Sequence, residues 1–303
     1  MNLGRLGLGC APLGNLFTEV SDEDSVETID AAWRAGIRFF DTAPLYGNGC
    51  SERRLGEALA KYQRTDFVLA SKVGKLLRPI HGEAPATVYA GETSLMPVPD
   101  FSHDGVLRSI EESLVRLGLD RLDIVHVHDP DDHENEALEG AFPALVRLRD
   151  EGVIGAVGCG MNQAAMLSRF VDRVDLDCVL LAGRYSLLDR TGADELLPWC
   201  MRGGVQVIIG GVFNSGLLVD PDVNQMYDYA PARHELVVRA KQMRDACHRF
   251  GVSLSAAAIQ FPLQHAAVTS VVVGARSALE IETDVEAAGV DIPRELWNTL
   301  LGL

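Results

Sequence analysis

Apolar residues along this chain fall into short runs, separated by stretches with helical periodicity. The runs cover residues 6–9, 36–40, 67–70, 124–128, 154–159, 178–182, 205–209 and 270–273. Most are rich in Val, Ile, Leu or Phe with little polar alternation, the pattern of parallel strands buried on both faces. Between them lie amphipathic segments. In 104–117, Val106, Ile110, Leu114 and Leu117 form one stripe, while Arg108, Glu111 and Glu112 point away. Val26, Ile29 and Trp33 repeat that spacing behind a capping candidate at Ser21 or Asp22. Phe142, Leu145 and Leu148 do so again, with Gly152 placed to end the helix.

About eight strand–helix units without a break in composition predict an α/β fold, one closed (β/α)8 barrel spanning 1–303. Its active site is expected at the carboxyl end of the strands. An open doubly wound sheet is disfavoured, because Gly7-Leu8-Gly9 runs into Ala11 and Pro12 instead of opening a helix. Two connections are too long to be passive. Segment 75–103, after the third strand, carries Pro79, Pro85, Pro97 and Pro99 with Gly82 and Gly91, and segment 213–231 follows the seventh. Loops above ~15 residues are commonly functional, so both are expected to enclose substrate.

Charge and cysteine usage narrow the partners. With 27 basic against 43 acidic residues and a formal charge of -16, the surface repels phosphate backbones and anionic lipid, which excludes nucleic acid and membrane as partners. No apolar run approaches the ~20 residues of a membrane span. Residues 1–5 show no basic segment leading into a signal-peptide core. The six cysteines lack paired ligand spacing and sit largely in apolar stretches. The expectation is a cytoplasmic protein, monomeric or homo-oligomeric, with a small-molecule substrate.

Three ionisable residues close three successive strand runs: Asp41 after Phe40, Lys72 after Ser71, and His128 after Val127, with Tyr46 in the loop behind Asp41. On a closed barrel such positions converge on one mouth. Together they suit proton transfer coupled to carbonyl reduction or alcohol oxidation. A free tyrosine titrates near ~10. An ammonium about 4 Å away, at an effective dielectric near 20, stabilises tyrosinate by up to about 4 kcal/mol, so Lys72 is expected to lower the Tyr46 pKa. Asp41 would hold Lys72, and His128 would donate to the substrate oxygen. His126 shares a strand face with His128, and a His-x-His pair can bind metal. No further ligand set stands out, so no metal is expected.

The stretch Phe40-Asp41-Thr42-Ala43-Pro44-Leu45-Tyr46-Gly47, with Ser51-Glu52 and Leu55-Gly56, resembles the first signature of the aldo-keto reductase superfamily. Leu122-Asp123-Ile124 running to His128-Asp129-Pro130 is similar to the stretch holding that family's histidine. The resemblance covers nearly the whole chain. It implies a catalytic tetrad of Asp41, Tyr46, Lys72 and His128, with tyrosine as general acid/base and direct hydride transfer with a nicotinamide.

By the same resemblance, cofactor contacts fall to Asp41, Asn162, Phe213, Asn214, Ser215, Gly216, Leu218, Gly274, Arg276, Glu280 and Asp284. Asn162 is the candidate partner of the carboxamide, and the 214–218 backbone that of the pyrophosphate. The family's glutamine on the sixth strand is replaced near Ala182, and its stacking aromatic on the seventh by Gly210 or a neighbour. Gly274 and Glu280 stand where NADP-preferring relatives carry basic residues. A carboxylate repels a 2'-phosphate but accepts from a ribose hydroxyl, so NAD is expected, with Arg276 leaving NADP open. The stretches 158–163 and 182–189 resemble a bacterial branch whose members oxidise a cyclic hemiacetal to a lactone. That implies an aldose of the L-fucose or D-threo type as substrate. Pyridoxal or another aldehyde or ketone is the alternative. A cofactor-sensing module and a metal-dependent hydrolase are weaker ones. Aromatic residues make up only 6% of the chain, which tilts the choice towards sugar.

Overall fold

All eight apolar runs become parallel strands, and their near-continuous hydrophobicity has a structural reason. The structure, a computed structural model, describes residues 2–82, 87–91 and 93–303. In chain order the strands are β1 (Leu6–Gly9), β2 (Phe39–Asp41), β3 (Val68–Val73), β4 (Lys75–Pro79), β5 (Leu95–Pro99), β6 (Ile124–His128), β7 (Ala156–Met161), β8 (Cys178–Ala182), β9 (Gln206–Gly210), β10 (Met226–Tyr227), β11 (Ala230–Pro231) and β12 (Val268–Gly274). The barrel closes in the order β1-β12-β9-β8-β7-β6-β3-β2. Inward residues such as Phe39, Ala70, Ile124, Cys178, Leu180, Ile208 and Val272 fill its lumen. Outward ones such as Phe40, Leu69, Val125, Val157, Val179, Val207 and Val271 pack beneath the helices. Both faces of each strand are therefore buried, so a strict alternation of polar residues never develops.

The helices begin and end where local chemistry dictates. Ser21 caps Asp22–Arg34 by accepting from the Asp24 amide at 2.9 Å. Ser102 caps His103–Leu117 by accepting from Gly105 at 3.0 Å, and left-handed Gly118 closes it. Gly152 (φ 75°) follows Phe142–Asp150 as expected.

Two readings of the sequence are corrected. Residues 36–38 are not strand: the Gly36 and Ile37 amides still bond back to Trp33 and Ala32 of the preceding helix. Segment 75–103 is not one long loop either, because β4 and β5 pair antiparallel from Lys75↔Pro99 to Pro79↔Leu95. Its prolines read as loop signals, yet this two-stranded hairpin has free edges on which a missing N–H costs nothing. Pro85 lies outside the described residues. Among the described residues no helix is long and apolar enough to cross a membrane.

Candidate active site

Strand register brings Asp41, Lys72 and His128 to the carboxyl mouth of the barrel. Lys72 pairs with His126 across β3 and β6, and His128 lies one step further towards the mouth. The Lys72 Nζ donates to Asp41 Oδ2 at 2.7 Å and to the Thr42 carbonyl at 2.8 Å. The two side chains are 1% and 3% exposed. A buried ion pair is poor evidence of stabilisation, since desolvation offsets most of the attraction. Its presence at a strand mouth points to chemistry instead.

Tyr46 is held by backbone contact between two loops. Gly47 adopts φ 61°, and a Cβ there would lie 2.3 Å from the Gly14 carbonyl oxygen. Only glycine allows both the left-handed turn and this approach. Lys72 Nζ then sits 4.6 Å from the centre of the Tyr46 ring, and the His128 ring meets it edge-on at 5.8 Å. The Ser51-Glu52 part of the signature has a supporting role. Ser51 Oγ donates to the Cys10 carbonyl at 2.7 Å, while Glu52 accepts from Ser71 at 2.7 Å and from Arg116 at 2.6 Å. These bonds tie the helix behind Tyr46 to the strand carrying Lys72.

The electrostatics correct one expectation. Burial, and after it the charge of Asp41, pushes the Tyr46 phenol well above its ordinary value. The Lys72 ammonium, already engaged by Asp41 and the Thr42 carbonyl, does not offset that rise. Burial likewise holds the His128 imidazole well below its ordinary value, with Lys75 and Lys72 adding to the effect. His126 is depressed to about 3, again chiefly by burial. Its ring lies over Gly158, where a Cβ would come within 2.2 Å of Nδ1. Among the described residues neither of its nitrogens has a hydrogen-bond partner. Among the described residues no group of three or more His, Cys, Asp or Glu is disposed to hold a metal ion.

Apart from Asp41, the residues read as cofactor contacts lie at or after the carboxyl ends of β7, β9 and β12. Asn162 follows directly on β7, and its side chain makes no hydrogen bond among the described residues. Ala182 and Gly210 pair at the ends of β8 and β9, leaving a floor without bulky side chains. Asn214, Ser215 and Gly216 are all left-handed (φ 46°, 58° and 96°). The Asn214 side chain is buried, accepting from Ser186 at 2.7 Å and donating to the Gly183 carbonyl at 3.3 Å. The amides of Gly216 and Leu218 bond to the Phe213 carbonyl, whereas those of Phe213 and Ser215 have no partner among the described residues. Gly274 ends β12 against Pro12, whose ring a Cβ would meet at 2.8 Å. Arg276 is committed to Glu280, at 2.6 Å from Nη2. Asp284, one turn further along that helix, is pushed up to about 7 by burial and then by Glu280.

Residues 5–302 match the Aldo/keto reductase family. The chain belongs to that family. It is 43% identical to a D-threo-aldose 1-dehydrogenase from Pseudomonas sp, over 97% of this chain and 92% of the relative. It is 41% identical to a pyridoxal 4-dehydrogenase from Microbacterium luteolum, over 99% and 94%. Among solved structures it resembles an aldo-keto reductase from Bacillus halodurans in its holo form. That likeness has a TM-score of 0.77 and 26% identity, covering 98% of this chain and 92% of that one. This aldo-keto reductase is thus a nicotinamide-dependent oxidoreductase acting on small molecules.

Sequence reasoning missed the aromatic wall of the reductase mouth. Tyr89, from the turn between β4 and β5, stands 6.4 Å from the Tyr46 ring, and Phe17 meets Tyr229 at 5.8 Å. Phe17 and Tyr229 are both left-handed (φ 65° and 62°), a strained state for bulky residues that clusters at functional sites. The low aromatic content of the whole chain concealed this concentration, so composition carries no argument for sugar over pyridoxal. The available signal was an aromatic residue in each of the segments that follow β1, β4 and β9, at Phe17, Tyr89 and Tyr229.

Proposed function

We propose that this reductase, acting as one domain over 1–303, oxidises the C1 hemiacetal of an aldose of the L-fucose or D-threo type to its lactone. The observation that carries the reading is the convergence of Tyr46, the dry Lys72–Asp41 pair and His128 on one mouth. The residues present fit a nicotinamide dinucleotide. Among the described residues Asp41 Oδ1 is buried without a partner, the Asn162 side-chain amide is unengaged, and the Phe213 and Ser215 amides are available to a pyrophosphate. Oxidised nicotinamide bound there would supply the hydride acceptor.

In this scheme the C1–H pair leaves as hydride while the anomeric O–H gives its proton to Tyr46. His128, held neutral by burial, donates through Nε2 to the same oxygen and fixes its direction. Lys72 and Asp41 set the field behind the phenol. The raised Tyr46 pKa gives the free protein a protonated phenol, a proton donor for the reverse reduction, so oxidation requires removal of that proton.

NAD is the preferred cofactor in this reading. Glu280 pairs with Arg276, a cation that a 2'-phosphate would otherwise engage. The deciding experiment is initial-rate oxidation with NAD and NADP separately, across L-fucose, D-arabinose, L-galactose, L-rhamnose and pyridoxal. Lactone formation from an aldose with NAD is expected. The aromatic wall favours pyridoxal as the second reading, since its rings can stack on a pyridine. Turnover of pyridoxal alone would transfer the assignment to it.

A further inference from the structure

Directly after His128 the chain turns through a left-handed residue, Asp129 (φ 43°), whose amide donates to the Gly160 carbonyl at 3.0 Å. This turn swings the carboxylate across the barrel mouth instead of away from it. Asp129 Oδ2 stands 3.5 Å from His128 Nε2 and 3.6 Å from Lys75 Nζ, with 40% of its side chain still exposed. Lys75 opens β4, three residues beyond Lys72, and its side chain is 19% exposed. Burial pushes the Asp129 carboxyl up while Lys75 works against the shift. The field of Asp129 in turn reaches Tyr46, Tyr89 and Tyr229. One mouth therefore carries an aromatic wall and, beside the nitrogen that faces substrate, a carboxylate–ammonium pair.

That pair has more hydrogen-bonding capacity than its single loose contact uses. A carboxylate offers about four acceptor sites and an ammonium three donors. At 3.6 Å the two do not saturate each other. Structural ion pairs are generally shorter, as the 2.7 Å pair beneath them shows.

We propose that Asp129, aided by Lys75, is a specificity-determining residue that binds the hydroxyl on the carbon next to the reacting carbon of a cyclic polyol. The inference rests on the sugar reading above. When His128 Nε2 holds the anomeric oxygen, the hydroxyl oxygen on the adjacent ring carbon lies about one hydrogen-bond length away, the place that Asp129 Oδ2 commands. Lys75 then donates to the same or the following hydroxyl. Tyr89 and Tyr229 cover the C–H face of the ring. A substrate lacking that hydroxyl leaves the carboxylate desolvated and unpaired, which is how a polar site rejects a deoxy analogue.

The test compares wild type, Asp129→Asn and Lys75→Met on L-fucose and its 2-deoxy analogue, and on butyraldehyde in the reduction direction. Wild type is expected to favour L-fucose over the 2-deoxy sugar. Loss of a hydrogen bond to a charged group corresponds to about 10- to 100-fold, so Asp129→Asn should lower the ratio of L-fucose to butyraldehyde kcat/KM by that factor. The preference for the 2-hydroxy sugar should fall with it, and Lys75→Met should give a smaller loss of the same kind. Equal losses on all three substrates would mean that Asp129 acts through His128 or the fold, and would overturn the assignment. Unchanged ratios in Asp129→Asn, with wild type still oxidising L-fucose, would overturn it while the sugar reading stands. Wild type turning over pyridoxal and no aldose would sink both.

Discussion

Lys72–Asp41 and Arg276–Glu280 are ion pairs of nearly equal length, 2.7 and 2.6 Å, the first at the strand mouth and the second after β12. The first pair is 1% and 3% exposed, the second 51% and 38%. Equal distance here means unequal physics. In the dry pair each charge depends on the other, because neither can recover its hydration, and losing one partner strands the other. The wet pair gains little from contact, is screened by salt and can rearrange at small cost. Such an arrangement suits the two tasks proposed for these pairs. Proton transfer needs groups whose positions and field do not relax, whereas cofactor selection needs charges that a ligand can engage or be refused by.

Four perturbations would break or sharpen this contrast. The largest effect is expected from Tyr46→Phe, which removes the one proton carrier in the dry end. Turnover should fall by about 10²- to 10⁴-fold, with cofactor affinity by fluorescence titration little changed. Retention of most of kcat would remove Tyr46 from its proposed role. The same residue predicts a pH profile. Because its pKa is raised, the deprotonated form required for oxidation accumulates only as pH rises, so oxidative kcat/KM should climb through the alkaline range.

Next is Lys72→Met, which strands Asp41 and should destabilise the fold by about 3–5 kcal/mol in urea unfolding. Adding Asp41→Asn should restore most of that stability and none of the activity. An unaltered midpoint in the single variant would show that the pair is not interdependent.

His126→Leu probes the buried imidazole beneath the pair. Its folded pKa of about 3 lies below the ordinary 6.5, so the unfolded chain binds more protons between those values. Stability of the wild type should therefore fall as pH drops from 6.5 towards 3, by up to about 1.4 kcal/mol per pH unit for this residue. His128 contributes in the same direction and remains in the variant. The variant should gain on wild type progressively over that window in thermal melts at pH 7, 6, 5 and 4. Parallel melting curves would show that His126 reaches solvent or a partner.

The smallest effect on stability belongs to the wet end. Glu280→Gln should change the unfolding free energy by less than about 1 kcal/mol, yet it frees Arg276. The NADP-to-NAD ratio of kcat/KM should rise by about tenfold, the order of one tuned charge contact. A ratio that does not move would mean that Glu280 plays no part in refusing the phosphate.

How far the sequence reached differs between these two ends for a definite reason. Asp41, Lys72 and His128 are each at or next to the last residue of a strand. The strand runs were visible as unbroken apolar segments, and a closed barrel sends every strand end to the same rim. Fold class and mouth residues were therefore legible from spacing, with Tyr46 in the loop behind Asp41, and the family resemblance joined the four into a tetrad. Boundaries were less legible. The helix ending at Arg34 carries its last hydrogen bonds into Gly36 and Ile37, which look apolar enough for strand.

Tertiary structure decided the rest. The sequence placed a lysine near a tyrosine and suggested a lowered phenol pKa, but the sign depends on what else contacts the lysine. Asp41 and the Thr42 carbonyl engage it, and burial then dominates. Phe17, Tyr89 and Tyr229 come from three loops far apart in the chain, and Asp129 owes its place over the mouth to one left-handed turn. Position along a strand is a local property, so spacing in the sequence records it. Dielectric surroundings and partners are set by residues brought together from across the chain, which only the closed barrel determines.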